Sequence, residues 1–371
     1  NLLKEHGVEV YKLTGDKVLD KRIFKKGDIV VPLAQPFRPF IKEVMSPQEY
    51  PVRHYTPGGK IIKPYENTSW SLPLHRGVET AAIKRPVKAL DPVLKKIAGP
   101  FRLLQGTPDK FWAAFFKVSE NESYKAAFLA VTLGLKTERL RKCVTVKDLK
   151  IPCGSFVVYH NGKKAGKIKK LLKSLQVSPL FVQEAVKLET APLKMPRIAL
   201  VETFFHDMDA GWTRYLFDTY HIPYKVLRPG DFKTTDFVKN FDVVLFPDMD
   251  KTVLMEGKWK AEGSGRYYIP SYPPEYTKGI GKKGMERLMT FFAGGGIIVS
   301  WGKSTGLFLS TLEIPGGKDR KEEFQLPAED MYSDLRKSGV YCPGSFMKVD
   351  LLPGHPLTKG MGKQTGIVLQ G

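Results

Sequence analysis

The sequence predicts an α/β protein in which a mixed α/β N-terminal region precedes a domain built on a parallel sheet. Three observations carry this prediction. Short β-branched runs (residues 29–31, 155–159 and 242–246) alternate with segments of helical apolar spacing. From residue 197 onward strand and helix patterns alternate regularly, as parallel strands joined by helical crossovers require. Two early segments also share a layout, each with a Gly that stops a helix and a second Gly twenty residues later, before a strand.

At 371 residues the chain exceeds one ordinary core. The expected division is a mixed α/β region over 1–110, a second α/β unit over 111–192, and a parallel-sheet domain over 193–371. In the first, a helix over 2–6 stops at Gly7, a strand follows over 8–13, Gly15 and Asp16 turn the chain, and Gly27 leads into a strand over 29–33. In the second, a helix over 126–133 ends at Gly134, a strand follows over 135–140, and Gly154 leads into a strand over 155–159. The equal spacing of Gly7 to Gly27 and Gly134 to Gly154 suggests an internal duplication. Between the two, residues 55–110 carry Pro and Gly without a sustained period and read as surface connections.

A basic helix is expected over 161–177, with Ile168, Leu171, Leu172 and Leu175 on one stripe. Six lysines between Lys163 and Lys173 make a membrane or polyanion surface conceivable, but a solvated lysine face over a core stripe is the expectation. A linker over 190–196 opens the last domain. Its expected strands cover 197–204, 224–227, 242–246 and 297–300, and its expected helices cover 209–220, 283–293 and 307–312. Asp209 is placed to cap the first of these helices, and Gly294, Gly295 and Gly296 to turn the chain after the second.

The net charge of +21 implies anionic neighbours, such as envelope lipids, polyanions or acidic partners. Apolar runs reach only about ten residues, half of the roughly twenty a membrane-spanning helix needs. The first residue is Asn1, as in a processed product or a fragment. Cys143, Cys153 and Cys342 have no zinc spacing; Cys143 and Cys153 face each other across an expected hairpin, as a disulfide or as two thiols.

Several motifs imitate catalytic signatures. His6 and Glu9 spell His-x-x-Glu, but across a helix stop and a strand entry, which is no context for a zinc pair. Gly279, Gly281 and Gly284 match GxGxxG without a preceding strand, so a helix-entry turn is expected. Gly302, Lys303, Ser304 and Thr305 imitate the end of a phosphate-binding loop, but Ile297 stands where its first Gly belongs. Gly302, Ser304 and Gly306 form GxSxG between a strand and a helix, the setting of a nucleophile elbow. Asp330, Asp334 or Asp350 and then His355 follow in triad order, which makes Ser304, Asp334 and His355 the candidate catalytic set. His206, Asp207 and Asp209 follow one expected strand, and Asp248 and Asp250 another; carboxylates at such strand ends are candidates to hold a hard cation, or simply cap helices. Trp212 and Arg214 lie one turn further on.

Four segments carry a family resemblance: GDIVVPLAQPFRPFIKEVMSPQEYP (27–51), which holds Gln35 and Arg38, then NTSWSLPLHRGVE (67–79), DAGWTRY (209–215), and PPEYTKGIGKKGMERLMTFFAGGGIIV (273–299). Together they resemble the region C-terminal to the peptidase domain in large secreted bacterial zinc carboxypeptidases of the carboxypeptidase A type. In that family His-x-x-Glu and a later His bind zinc and a Glu activates water; none of these positions maps here. The resemblance therefore implies a non-catalytic accessory region, whose catalysis and zinc lie upstream of Asn1 and whose final strands lie beyond Gly371. The last domain resembles a flavodoxin-like, class I glutamine amidotransferase-like fold. Amidotransfer needs a Cys at the elbow, and Ser304 stands there, so that activity is not carried over. The implied partner is the peptidase domain of the same protein, followed by other envelope proteins or anionic surfaces. Nucleic acid is not an expected partner, no cofactor is expected in this chain, and the implied location is secreted, periplasmic or in the cell envelope. Two alternatives from other classes are a serine hydrolase using Ser304 and a basic binding module for anionic surfaces.

Overall fold

In the computed structural model, helix α1 (Leu2–Glu5) stops at Gly7, whose φ of +83° suits glycine and strains other residues. The described residues are 1–64, 69–99, 107–146, 149–160, 165–205, 207–259, 273–315, 320–342, 344–352, 354–358 and 361–369. They divide into one unit of Asn1–Gln105 with Arg336–Gly371, and a second of Gly106–Leu335.

In unit 1, β1 (Tyr11–Leu13) is followed by a hairpin of β2 (Lys17–Leu19) and β3 (Arg22–Phe24), then by β4 (Ile29–Val30) and α2 (Arg38–Met45). Ile41 on α2 packs with Val8 and Val10 in a small core. After α3 (Leu72–Arg76), β5 (Leu94–Lys96) completes an antiparallel sheet of order β4-β1-β5. The expected surface connection over 55–110 thus contributes a strand. Its apolar content is too sparse to signal one, because pairing with β1 and not a buried stripe defines it.

Unit 2 opens with β6 (Ala113–Phe116), α4 (Asn121–Thr132), β7 (Thr137–Leu140), the hairpin β8 (Val144–Val146) and β9 (Leu149–Ile151), and β10 (Phe156–Tyr159). Then come α5 (Ala165–Lys173), β11 (Leu180–Val182) and β12 (Thr190–Pro192), giving an antiparallel sheet of order β11-β6-β10-β7-β12. The expected linker over 190–196 therefore begins as a strand paired to β7. On α5, Ile168, Leu171 and Leu172 are buried and Lys167, Lys169, Lys170 and Lys173 are exposed, a solvated lysine face over a core stripe. Residues 161–164 of the expected basic helix lie outside the described residues.

The two early segments share one backbone register at a constant offset of 127 residues (13 to 140, 27 to 154, 41 to 168). Leu13 N–H donates to Asp28 O at 2.9 Å and Gly27 N–H to Leu13 O at 2.8 Å. Leu140 N–H donates to Ser155 O, and Gly154 N–H to Leu140 O, each at 2.8 Å. Tyr11 pairs with Val30 as Glu138 pairs with Val157, and Lys17 with Phe24 as Val144 with Ile151. The third strand agrees as well: Ile97 N–H donates to Val10 O at 2.9 Å, and Leu193 N–H to Thr137 O at 3.0 Å. Leu2, Gly7, Leu13, Gly27, Val30, Val31 and Ile41 recur as Leu129, Gly134, Leu140, Gly154, Val157, Val158 and Ile168.

The next part of unit 2 follows the expected alternation: β13 (Ile198–Val201), α6 (Met208–Tyr220), β14 (Tyr224–Leu227), α7 (Phe237–Asn240), β15 (Val243–Phe246), α8 (Lys251–Glu256), α9 (Gly281–Ala293) and β16 (Ile297–Ser300), with the two short helices α7 and α8 added to it. These strands are parallel in the order β14-β13-β15-β16. Strand residues alternate between two cores. Ala199, Val201, Val244 and Phe246 pack with Phe232, Phe237, Leu288 and Phe291, while Ile198, Leu200 and Leu245 pack with Phe217 of α6. Gly295 turns the chain at a φ of +89°, and a Cβ on Gly296 would lie 2.4 Å from the Phe291 ring. Gly281 opens α9, so the GxGxxG match is a helix entry.

The helix expected over 307–312 is absent. Residues Gly302–Leu307 form a 3-10 turn and β17 (Leu312–Pro315) follows, paired with β18 (Lys321–Phe324). Leu307, Phe308 and Leu312 are buried at a spacing that also fits one helical face, so the apolar pattern alone could not separate the two outcomes. After α10 (Tyr332–Lys337), the hairpin β19 (Ser345–Asp350) and β20 (Gln364–Leu369) belongs to unit 1. There Tyr341 donates to Pro64 O at 3.0 Å, and His75 meets Phe346 with ring centroids 5.1 Å apart.

Candidate functional site

A parallel sheet gathers loop residues beyond the carboxyl ends of its strands, and the place where strand order reverses leaves a crevice there. In this sheet that place lies between β13 and β15. The candidate residues Asp207, Asp209, Asp248, Asp250 and Ser304 all stand at or near these strand ends; His206 lies outside the described residues.

Each carboxylate has an internal donor. Asp207, not Asp209, caps α6: it accepts from Ala210 N–H at 3.2 Å and from Thr203 N–H at 2.8 Å. Burial raises its pKa above the usual 3.8, against the lowering effect of these donors. Asp209 lies inside the first turn and accepts from Trp301 Nε1–H at 3.0 Å. Asp248 accepts from Lys303 N–H at 2.6 Å, and Asp250 caps α8 through Thr252 N–H at 2.7 Å. Among the described residues no group of three or more His, Cys, Asp or Glu is gathered so as to hold a metal ion. These aspartates close turns and caps.

Ser304 is fully buried, with Oγ 2.8 Å from the carbonyl oxygens of both Phe246 and Trp301. Its hydroxyl therefore ties the 3-10 turn to the end of β15, whereas an elbow holds its hydroxyl out to substrate. Gly302, at a φ of +62°, is needed because a Cβ there would fall 2.3 Å from Asp248 Oδ1. Both small residues of the motif thus answer local packing. Asp334 stands on α10, and Asp330 accepts from Tyr332 N–H at 2.9 Å. His355 belongs to unit 1, where its Nδ1 accepts from Leu357 N–H at 3.2 Å, and Asp350 accepts there from Gln364 at 2.8 Å.

Sequence reasoning passed over a second group at the ends of β13 and β14. Arg228 donates to Thr203 O at 2.6 Å and to Glu202 O at 3.2 Å, and its guanidinium lies 4.2 Å from the centre of the Phe204 ring. Glu202 also accepts from Arg214 at 3.2 Å. The available signal was Phe204, an aromatic residue just past the end of a buried strand. Nearby, α6 turns Met208, Trp212, Tyr215 and Leu216 to solvent, with Trp212 61% and Tyr215 60% exposed. Ile297 and Val299 of β16, on the same sheet face as Val243 and Leu245, are likewise exposed. Amphipathic helices normally place such side chains inward. Among the described residues, no helix is long and apolar enough to cross a membrane. No family model, curated protein or solved structure matches this chain.

Proposed function

We propose that this chain is a non-catalytic accessory region of a larger zinc carboxypeptidase-like protein, and that it supports the peptidase domain by docking. The observation that carries this reading is the outward apolar stripe of α6, with Met208, Trp212, Tyr215 and Leu216 in solvent. Isolated exposed apolar residues are ordinary, but a contiguous set on one face marks an interaction surface. The candidate chemical groups support the same reading, because Asp207, Asp248, Asp250 and Ser304 are held by backbone partners.

Two finer structural readings accompany it. The strand order second-first-third-fourth supports a flavodoxin-like, amidotransferase-like relationship for the last domain. The shared register at an offset of 127 residues supports an internal duplication of residues 1–45 and 128–172.

The test is made on the intact polypeptide purified from its source. It should contain stoichiometric zinc and release C-terminal amino acids from peptides, and its backbone amides at 212–216 should exchange more slowly than those of the 371-residue chain alone. An intact polypeptide without zinc or without this hydrolysis would overturn the reading.

A further inference from the structure

We propose that the outer edge of β4 in unit 1 is the seat of an additional antiparallel strand, apolar like β6, supplied by polypeptide that runs directly into α1. The proposal rests on the duplication reading above and is drawn from paired registers, not from the position of Asn1.

In unit 2, β10 is hydrogen-bonded on both sides, to β7 and to β6. In unit 1, β4 pairs with β1 in the same register as β10 with β7, yet it has no second neighbour among the described residues. Phe156 and Val158 are 2% and 0% exposed, whereas Ile29, at the place of Phe156, is 50% exposed. The same backbone thus carries a buried position in one unit and an open one in the other.

Alternate residues of an antiparallel strand direct their N–H and C=O groups to opposite neighbours. Tyr159 N–H donates to Lys136 O at 3.0 Å, toward β7, and His160 N–H donates to Trp112 O at 2.8 Å, toward β6. Phe156 and Val158 therefore face β6, and their counterparts Ile29 and Val31 face outward. Pro32 occupies the place of Tyr159, so the N–H it lacks is one that points inward. Gln35 fills that gap: its Nε2 donates to Glu9 O at 3.3 Å and its Oε1 accepts from Glu9 N–H at 2.8 Å. The outward edge is left whole, and such an edge is a template for another strand.

The register also identifies what supplies it. At the offset of 127, α1 falls on residues 129–132, the last turn of α4, and β6 reaches α4 through the short segment 117–120. A strand seated against Ile29 and Val31 by the same path leads straight into α1.

The test fuses residues 107–127 directly before Asn1 of the full chain, which sets a copy of β6 at the matching distance, and follows amide exchange. Exchange at Ile29 and Val31 should slow by roughly tenfold or more. The protection should vanish when the graft carries Ala114→Pro and Phe116→Pro, which remove the N–H groups facing the edge. Equal exchange with and without the graft overturns the proposal. Protection in the ungrafted chain that grows with protein concentration also overturns it, since a second copy would then be the occupant. The amides of Leu13, Gly27 and Ile97 serve as the control. If they are not protected like those of Leu140, Gly154 and Leu193, the duplication reading fails; if they are, and Ile29 still exchanges fast, only the added strand falls.

Discussion

Asp207 shows how one carboxylate reconciles burial with a structural task. It receives the N–H groups of Thr203 and Ala210, and burial nevertheless raises its pKa. A carboxyl whose folded pKa is raised favours folding while protonated, and that contribution is lost as pH rises through the window above 3.8. Asp207→Ala should cost about 1 kcal/mol through the lost cap. Asp207→Asn, which still accepts, should narrow its deficit or overtake the parent as pH rises through that window, as urea unfolding at several pH values will read. Tyr159 gives the alkaline counterpart. Burial first, and then its 2.7 Å hydrogen bond to Glu138, push its phenol up to about 12. Its contribution is complete below pH 10 and disappears as pH rises through about 12. Tyr159→Phe should therefore unfold with a flatter pH dependence across that interval, in a titration followed by tyrosinate absorbance and circular dichroism. No disulfide joins Cys143 and Cys153 here, and Cys153 N–H donates to Cys143 Sγ at 3.0 Å.

Elements were legible wherever their own residues decide them. The strands 224–227 and 297–300 and the glycine turn after α9 agree with the sequence reading, because short runs rich in Val, Ile and Tyr bounded by turn residues favour strands. What was illegible depends on partners distant in sequence. β5 exists because β1 lies beside it, β12 because of β7, and the tight turn at 302–307 because the Ser304 hydroxyl finds the Phe246 carbonyl. The candidate site failed to be legible for the same reason, since GxSxG can be written by a nucleophile or by steric crowding against Asp248. Gly27 and Gly154, at φ of +99° and +87°, hold equivalent places in the two shared registers. Substitution of either by Ala should destabilise its own unit by about 1–2 kcal/mol. Hydrogen exchange resolved by segment will check this, and loss of protection spread equally over both units would contradict it.

At the scale of the whole molecule, unit 1 is assembled from two stretches separated by all of unit 2. Tyr341 and Phe346, from the second stretch, meet Pro64 and His75, from the first. Removing residues 336–371 should therefore loosen unit 1, including the β4-β1-β5 sheet, and leave the parallel sheet of unit 2 intact. Exchange at Leu13 and Gly27 should quicken while exchange at Val244 and Leu245 stays unchanged. The same layout fixes an order of events during synthesis. The ribosome delivers the first stretch, then all of Gly106–Leu335, and only afterwards the hairpin that joins the first stretch. At about 5–20 residues per second the early stretch waits on the order of ten seconds or more. Through that interval Pro64 and His75 are without the partners that Tyr341 and Phe346 later bring.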